Sequence, residues 1–249
     1  MGTMSPSAAS GLQLSTVEGV GFADGVTDPG QTSVAVLGGT GPQGRGLALR
    51  WAAAGVSVVL GSRDAARAAS VAAELAGQLH PEGRTPSGTD NATAAQAGQV
   101  VVLAVPWSAH DALVTEVAGA LVGKVVVDCV NPLQFDARGA HPVPVPAGSA
   151  AEQAATLALG ARVVGAFHHV SAALLADPTV IRIDSDVLVV GDDRAAVDVV
   201  IGLAGLIPGV RGVHAGRLRT AGALEALTAN LLAVNRRYRV HAGIRVTDL

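Results

Sequence analysis

The segment 34-VAVLGGTGPQGRG-46 decides the fold class of this 249-residue chain. An apolar run ends at Leu37, and Gly39, Gly41 and Gly44 then stand in the spacing G-x-G-x-x-G. A strand that turns through such glycines into a helix is typical of the first βα junction of a dinucleotide-binding fold. We expect Gly39 to allow the tight turn, Gly41 to let the backbone approach a pyrophosphate, and Gly44 to allow close packing of helix on sheet.

The same turn predicts a phosphate site. The first N–H groups of a helix have no partner within it, and the positive end of the helix dipole attracts anions. Thr40 and Gln43 lie at this point and can add side-chain hydrogen bonds to a phosphate. Residues 39–44 therefore predict the pyrophosphate side of a dinucleotide site.

Outward from this turn, short β-branched runs alternate with Ala-rich stretches. Continuous apolar strands separated by amphipathic helices are typical of a parallel sheet covered on both faces. The predicted fold class is α/β, a doubly wound parallel (Rossmann) sheet with a smaller, partly helical C-terminal part. The predicted strands are 34–38, 56–61, 99–105, 124–129, 162–167 and 187–192, and the predicted helices lie near 43–55, 64–78, 109–121, 192–206 and 218–238.

Composition divides the chain into three predicted regions. Residues 1–32 are rich in Gly, Ser, Thr and Pro without periodicity, so we expect a flexible N-terminal extension. Residues 33–170 form the predicted dinucleotide-binding Rossmann domain, and residues 171–249 form a smaller C-terminal domain. The Gly- and Pro-rich segment 132–148 is expected to be a surface loop.

The end of the second predicted strand indicates which dinucleotide is bound. Arg63 lies about 20 residues after Gly44, where dinucleotide folds place the residue that recognises the ribose 2′ position. Ser62 and Arg63 can donate to a 2′-phosphate, and Arg67 can reach it from the next helical turn. Asp64 argues against this unless it only supplies a favourable charge to the helix start, and Ser62 could instead be the helix N-cap. We favour NADP(H) over NAD(H).

Residues after the third and fourth predicted strands should line the rest of the pocket, because ligands of open α/β sheets bind at the carboxyl ends of the strands. Pro106 and Trp107 follow the third strand. Trp107 either flanks the nicotinamide ribose or packs as an ordinary tryptophan. His110 is interpreted as a surface residue at a helix start, and Asn131 as a residue that closes the pocket near the nicotinamide.

Composition narrows the classes of partner. The net charge of −3 and the lack of a long basic run argue against nucleic acid, and the apolar runs are too short to cross a membrane. One cysteine, Cys129, excludes an intrachain disulfide framework and favours a reducing compartment, so a cytoplasmic location is predicted. Residues 211–249 hold seven arginines against Glu225 and Asp248, a net charge of +5. Such an end suits an acidic small-molecule partner or simply carries solvated arginines.

Several common catalytic devices cannot be built from this sequence. The chain has one lysine, Lys124, and one tyrosine, Tyr238, so a Tyr-x-x-x-Lys pair is impossible. Metal-ligand spacing of Cys and His is absent, and so is G-x-S-x-G. His168 and His169 are the best acid–base candidates, although such residues also serve as pocket walls. A nicotinamide site with few proton donors suits hydride transfer between two redox carriers, which requires stacked rings and exclusion of water.

From Ser33 to its C-terminus the chain resembles the NADPH-dependent coenzyme F420 reductases, also called F420H2:NADP oxidoreductases. The order and spacing of several segments carry this resemblance, and no one of them is decisive. The segments are 34-VAVLGGTGPQGRGLALRWA-52, 59-VLGSRDAARA-68, 103-LAVPW-107, 163-VVGAFHHVSA-172, 190-VGDD-193, 224-LEALTANLL-232 and 235-NRRYRVHAGIR-245.

The resemblance implies a dimeric oxidoreductase that uses NADP(H) and coenzyme F420, an 8-hydroxy-5-deazaflavin. Ser62, Arg63 and Arg67 match the family's 2′-phosphate residues. The deazaflavin is expected against the nicotinamide beside His168, in a site shaped also by Pro106 and Trp107, with contacts at Val170 and Ala172. Some members have His-Thr-Ile-Pro where this chain has 168-HHVS-171, so Ser171 replaces a proline.

Two other functions fit the same residues. One is an NADPH-dependent reductase of a small carbonyl or imine, with His168 or His169 as the proton donor. The other is a non-catalytic NADP(H) sensor whose partner surface is the arginine-rich end. Turnover without a deazaflavin would favour the first, and cofactor binding without any oxidation would favour the second.

Overall fold

The computed structural model describes residues 31–249, which are built around one mostly parallel sheet of eight strands with a separate hairpin. The strands of this part are β1 (Ser33–Leu37), β2 (Ser57–Ser62), β3 (Ser87–Asp90), β4 (Val100–Leu103), β5 (Val125–Asp128), β6 (Leu133–Asp136), β7 (Gly139–Pro142), β8 (Arg162–Gly165), β9 (Ser185–Gly191) and β10 (Val210–Gly216). The helices are α1 (Pro42–Ala53), α2 (Ala65–Ala76), α3 (Asn91–Ala97), α4 (His110–Leu121), α5 (Ala150–Leu157), α6 (Ala172–Ala176), α7 (Arg194–Gly205) and α8 (Ala221–Tyr238).

Side-chain caps start most of the helices. A short polar side chain just before a helix satisfies an N–H group that has no partner within the helix. The capping residues, each accepting a backbone N–H of the first turn, are Asp64 for α2, Asp90 for α3, Ser149 for α5, Ser171 for α6 and Asp193 for α7. Helix α1 begins differently, with Gly41 at the cap position and Pro42 as its first residue.

The strand order is β10-β9-β8-β5-β4-β1-β2-β3. All neighbours pair in parallel except β8 and β9, which are antiparallel. The chain passes from β1 outward to β2 and β3, then returns to β4 on the other side of β1. The order of strands therefore reverses between β1 and β4, where open α/β folds form a ligand crevice at the carboxyl edge.

Buried apolar side chains cover both faces of the sheet. On one face, α1, α2, α6 and α7 pack through residues such as Leu47, Val71, Leu175 and Val200. On the other, α3, α4, α5 and the start of α8 form a second cluster. Helices on both faces of a largely parallel sheet confirm the predicted doubly wound α/β class.

Three parts of the sequence-based assignment change. The segment 132–148 was expected to be a loop, but it contains the antiparallel hairpin β6–β7, whose turn is closed by Asp136 Oδ1 accepting from the N–H groups of Arg138 and Gly139. Strand β3 was missed because its sequence SGTD is polar and lies at a sheet edge. Strand β10, helices α3 and α5 and the short α6 were also not predicted.

The segment after residue 170 contributes to the main sheet. Strands β9 and β10 extend it beyond β8, and α8 returns to pack against α5 and β7. The division into domains at residue 170 stays a prediction. The predicted extension 1–32 lies outside the described residues, apart from its last two positions.

Candidate functional site

The tight turn after β1 is made by Gly38, one residue earlier than expected. Gly38 has φ +78°, and a Cβ there would lie 2.6 Å from the carbonyl oxygen of Ala104 at the end of β4. Gly39 is required to be small for a different reason, because its Cβ would meet Leu60 Cδ2 at 2.6 Å and Val36 O at 2.8 Å. The first two glycines thus let the backbone pass through the switch point of the sheet.

The other two glycines have the expected surroundings. A Cβ on Gly44 would lie 2.7 Å from Gly39 Cα, so close packing of α1 on the turn requires glycine. A Cβ on Gly41 would meet Gly38 O at 3.4 Å and Ala104 O at 4.0 Å, which are ordinary contacts. The fold itself therefore tolerates a side chain at Gly41, and its smallness leaves room at the helix start.

A cleft of about 860 Å³ opens at this turn, between the ends of β1, β2 and β4. A volume of this size is within the range of small-molecule and cofactor sites. Six residues of the predicted site line it: Thr40, Gly41, Ser62, Arg63, Arg67 and Pro106. Gly39, Gln43, Gly44 and Trp107 do not line the cleft; the first three support its floor from within the turn and α1.

The far end of the cleft carries two unpaired cations. Arg63 and Arg67 are exposed, and neither guanidinium makes a hydrogen bond or ion pair with any residue between 31 and 249. Asp64 Oδ1 accepts the backbone N–H of Arg67 at 3.1 Å and so caps α2. Ser62 is therefore not the N-cap; its Oγ accepts from Asp64 N at 3.2 Å, and its hydroxyl proton stays available. This arrangement presents one hydroxyl and two guanidinium groups to an anion.

Asn91 is a cleft residue that the sequence analysis missed. It is the first residue of α3, it lines the cleft, and its buried Oδ1 has no hydrogen-bond partner in the described part of the chain. Buried amide oxygens are usually satisfied, so an unpaired one beside a cleft is suited to a ligand donor. Because β3 was not predicted, nothing in the sequence placed Asn91 beside β2.

The segment with the two histidines is bound to α1 by side-chain hydrogen bonds. Gln43 Nε2 donates to Phe167 O at 3.1 Å, so the Gln43 amide is used by the protein and not by a phosphate. Phe167 is fully buried at φ 62°, an uncommon backbone conformation for a bulky residue, and its ring packs edge-on against Trp51. The buried guanidinium of Arg50 donates to four backbone carbonyl groups, those of Leu174, Leu175, Asp177 and Val180.

His168 is buried, and neither of its ring nitrogens has a hydrogen-bond partner among residues 31–249. Its backbone oxygen accepts from Asn131 Nδ2 and from Thr228 Oγ1, each at 2.9 Å, so strand β5's end and α8 both fix its position. Burial lowers the pKa of His168 to about 4, and the charge of Asp128 only partly opposes this. The imidazole is therefore neutral near pH 7 and lacks the proton of a cationic general acid.

The residues next to His168 have structural partners. His169 Nε2 lies 2.8 Å from the carbonyl oxygen of Asp186, so this nitrogen carries the proton and donates it. Val170 is buried and lines a separate cavity of about 160 Å³ together with Ser171 and His241. Ala172 is half-buried as the first residue of α6. None of these positions lines the cleft at the glycine-rich turn, and neither does His168.

His110 is not a surface residue, and the interpretation of it as one was wrong. Its ring is fully buried, and His110 Nε2 lies 2.8 Å from Asp128 Oδ2, a carboxylate that is also fully buried. Burial alone would lower the pKa of His110, but the hydrogen bond and charge of Asp128 outweigh it and raise the pKa. The ring of Trp107 packs against the ring of His110, with the two centroids 5.4 Å apart. Asp128 Oδ1 also accepts from Val130 N, which holds the turn that leads to Asn131.

Glu225 is a second buried carboxyl group that the sequence did not single out. From α8 its two oxygens accept the N–H groups of Ala150 and Ala151 at the start of α5, at 3.0 and 3.2 Å. Burial raises its pKa to about 7, against the effect of these two hydrogen bonds. Glu225 therefore joins α8 to α5, three residues before the Thr228 that contacts His168.

Residues 31–249 contain neither a candidate metal-binding cluster nor a candidate membrane-spanning helix. No cluster of three or more His, Cys, Asp or Glu side chains has a geometry that could hold a metal ion. Nor does any helix in this range have both the length and the apolar character needed to cross a bilayer.

Sequence comparisons converge on one family. Residues 33–132 match the family described as NADP oxidoreductase coenzyme F420-dependent. Over 221 residues the chain is 40% identical to the F420-dependent NADP reductase of Methanothermobacter marburgensis, covering 87% of this chain and 98% of that protein. A protein of the same description from Methanocaldococcus jannaschii is 37% identical over 222 residues, covering 87% and 98% respectively.

Solved structures agree with the sequence relatives. One from Arthrobacter sp. FB24, provisionally described as an F420-dependent NADP-reductase, has a TM-score of 0.72 at 28% identity and covers 87% of this chain and 99% of that one. An imine reductase from Bacillus cereus has a TM-score of 0.54 at 20% identity, covering 83% and 63%. The second likeness shows a shared fold alone.

Proposed function

This chain belongs to the F420-dependent NADP reductase family, and from this premise we propose that it transfers a hydride between NADP(H) and coenzyme F420. The enzyme is thus an oxidoreductase acting on two small redox carriers. One observation supports the NADP(H) part most directly: a cleft at the glycine-rich turn ends at two exposed, unpaired guanidinium groups.

The residues fit NADP(H) in both charge and space. Gly41 leaves a side-chain volume open at the start of α1, where a pyrophosphate is stabilised by free N–H groups. Arg63, Arg67 and the Ser62 hydroxyl then bind the 2′-phosphate that distinguishes NADP(H) from NAD(H). Thr40 contributes a hydroxyl beside the pyrophosphate. Gly39, Gly44 and the Gln43 side chain act indirectly, by holding the turn and the start of α1.

The bound nicotinamide and deazaflavin supply the redox chemistry, since each ring exchanges a hydride and delocalises the resulting charge. The chain positions the two rings and excludes water. Pro106 lines the cleft at the end of β4, and the neighbouring Trp107 packs against His110. Asn131 and Thr228 hold the backbone of His168. We place the deazaflavin beside His168, with Val170 and Ala172 supporting that segment from behind.

His168 serves this reaction as a neutral wall residue with hydrogen-bonding capacity. Its pKa of about 4 leaves an imidazole with one N–H and one unprotonated nitrogen near pH 7. Hydride transfer between two carriers needs no proton donor at the reacting carbon. Reduction of a carbonyl or imine, in contrast, would require a protonated His168 as the proton donor. Because burial opposes that protonation, this alternative is not favoured.

We also propose that the enzyme works in the cytoplasm as a homodimer. The one cysteine, Cys129, is buried, and burial raises the pKa of its thiol, which suits a reducing compartment where no disulfide is needed. Tyr238 and Val240 are exposed near the end of α8, and such side chains are suited to a subunit contact. Size-exclusion chromatography with light scattering tests the dimer, and a monomeric mass at micromolar concentration would contradict it.

A steady-state assay tests the proposed reaction. Purified protein mixed with NADPH and oxidised coenzyme F420 should bleach the visible absorbance of the deazaflavin. NADH should support this reaction far less well, because it lacks the 2′-phosphate. Binding of NADPH without bleaching would overturn the proposed reaction and favour the sensor or a substrate reductase.

A further inference from the structure

A second cleft, of about 680 Å³, lies between the hairpin β6–β7 and the end of α8. Neither the glycine-rich turn nor His168 lines it. The side chains that matter here are Phe135, Asp136 and Arg138 from the hairpin and Arg236, Arg237 and Arg239 from the end of α8.

This cleft has an excess of positive charge. Four arginines line it against one aspartate, and the Arg138 guanidinium lies 3.7 Å from Asp136. The guanidinium groups of Arg236, Arg237 and Arg239 form no ion pair or hydrogen bond within the described chain. Arginines in the last turn of a helix are also favoured by the helix dipole. That effect accounts for the two in α8 but not for Arg138, on a different element, or Arg239, beyond the helix end.

The two residues that hold the carbonyl oxygen of His168 lie on or next to the elements that form the basic cleft. Thr228 lies in α8 eight residues before Arg236, a distance of about 12 Å along a helix axis. Asn131 precedes Phe135 by four residues, about 13 Å of extended chain. Helix α8 also packs against β7, so the same two elements extend from the partners of His168 to the arginines of the cleft. These distances are within the reach of a long side chain on a ring that lies beside His168.

We propose that the basic cleft binds the anionic side chain of coenzyme F420, whose phosphodiester and glutamate groups are attached to the deazaflavin through a ribityl chain. The inference rests on the proposed function and assigns the arginines of the cleft to that substrate. Guanidinium groups bind phosphate and carboxylate oxygens in pairs of hydrogen bonds, which suits a chain of such anions. The exposed ring of Phe135 offers an apolar surface to the aliphatic parts between them.

The test compares coenzyme F420 with 8-hydroxy-5-deazariboflavin, which has the same ring and ribityl chain but no anionic groups. The variants are the double replacement Arg236→Gln and Arg237→Gln, and separately Arg239→Gln. Arg194→Gln is the matched control, since this exposed arginine of α7 pairs with Asp198 in its own helix. NADPH is kept saturating, and KM is measured for each deazaflavin at low and high salt.

We expect KM for coenzyme F420 to rise about three- to tenfold for each cleft arginine that contacts an anion, with the control unchanged. KM for the tail-free deazaflavin should not move, and the salt dependence of KM for coenzyme F420 should weaken in the variants. Unchanged KM values for both deazaflavins would overturn the assignment of the cleft while leaving the reaction intact. Equal increases in KM for both deazaflavins, together with a change in the oligomer mass, would overturn the assignment and indicate that the cleft arginines form a subunit contact. A wild-type enzyme that reduces neither deazaflavin would overturn the proposed function as well.

Discussion

The two halves of the proposed site are built in opposite ways. The phosphate half consists of the glycine-rich turn and the end of β2, short segments that meet because β1 and β2 are neighbours. Its arginines, Arg63 and Arg67, are exposed and have no partner in the part of the chain that the structure describes. The hydride half around His168 is buried, and its hydrogen bonds join residues far apart in sequence, such as Gln43 and Phe167, 124 positions apart.

The two halves therefore have different roles: the phosphate half sets the affinity for the cofactor, and the hydride half fixes the geometry around His168. Exposed, unpaired donors cost little in the free protein and gain a charged partner only when the cofactor binds. Buried groups such as His168 and Glu225 are already constrained, so changing them alters stability together with geometry. Variants of the exposed arginines in the phosphate half should therefore change cofactor binding alone, whereas variants of the buried groups in the hydride half should change stability as well.

The largest expected effect is in the phosphate half. Replacing both Arg63 and Arg67 by alanine removes two charge-assisted contacts, each worth about 1.5–3 kcal/mol, so kcat/KM for NADPH should fall by about 100-fold or more. The value for NADH and the urea midpoint should be unchanged. Arg194→Ala serves as the exposed control. Equal losses with NADPH and NADH would contradict the assignment of these arginines to the 2′-phosphate.

The hydride half should respond to pH through Glu225. Its folded-state pKa, raised to about 7, exceeds the ordinary value of 4.5, so its contribution to stability is fully present below pH 4.5 and is lost as pH rises through 7. The stability of the wild type relative to Glu225→Gln should fall across this window, by about 3 kcal/mol at most. Urea unfolding at several pH values measures this difference, and a flat difference would show that the carboxyl group is not perturbed.

His168 should show the opposite dependence. Its folded-state pKa of about 4 lies below the ordinary 6.5, so its contribution is present above pH 6.5 and is lost as pH falls through 4. The stability of the wild type relative to His168→Asn should therefore rise between pH 4 and 6.5. Urea unfolding of the wild type and of His168→Asn at several pH values measures this difference. A fall across that range would mean that the folded protein favours the protonated imidazole, contrary to its burial.

Two glycines of one turn provide a smaller and sharper contrast. Gly44→Ala should cost about 1–3 kcal/mol in the free energy of unfolding, because its Cβ would meet the backbone of Gly39 at 2.7 Å. The Cβ of Gly41→Ala would approach no atom closer than Gly38 O at 3.4 Å, so the unfolding midpoint should stay near the wild-type value while NADPH and NADH both bind more weakly. Thermal unfolding with cofactor titration separates the two. Tight NADPH binding by Gly41→Ala would contradict a close approach of the pyrophosphate.

The smallest expected effect concerns Thr228. Thr228→Val keeps the side-chain shape and removes one hydrogen bond to His168 O, which should cost about 0.5–1.5 kcal/mol of stability. A few-fold decrease in kcat, with KM for NADPH unchanged, should accompany it because the segment beside the rings is held less firmly. An unchanged kcat would indicate that Asn131 alone positions His168.

The same contrast explains what the sequence could predict. The glycine-rich turn and residues 62–67 were predictable because each is a short contiguous motif whose spacing has a physical cause. Strand β3 and the hairpin were not, since their polar, exposed residues carry no hydrophobic alternation.

The buried polar groups escaped the sequence analysis because their partners are brought in by the fold. Asp128 meets His110 from 18 positions away, and Glu225 reaches the start of α5 from 75 positions away. Neither residue differs in the sequence from an ordinary surface polar residue. The shift of the tight turn from Gly39 to Gly38 has a similar origin, since it depends on where β4 ends beside β1.

Direct transfer between the two carriers is most directly tested by isotopic labelling. NADPH carrying deuterium at the transferable position of nicotinamide C4 is incubated with the enzyme and oxidised coenzyme F420 in ordinary water, and the reduced deazaflavin is analysed by mass spectrometry and NMR. The account predicts deuterium at C5 of the deazaflavin, because stacked rings exchange the hydride without contact with solvent. Reduced deazaflavin without deuterium, or no reduction at all while NADPH binds, would contradict it.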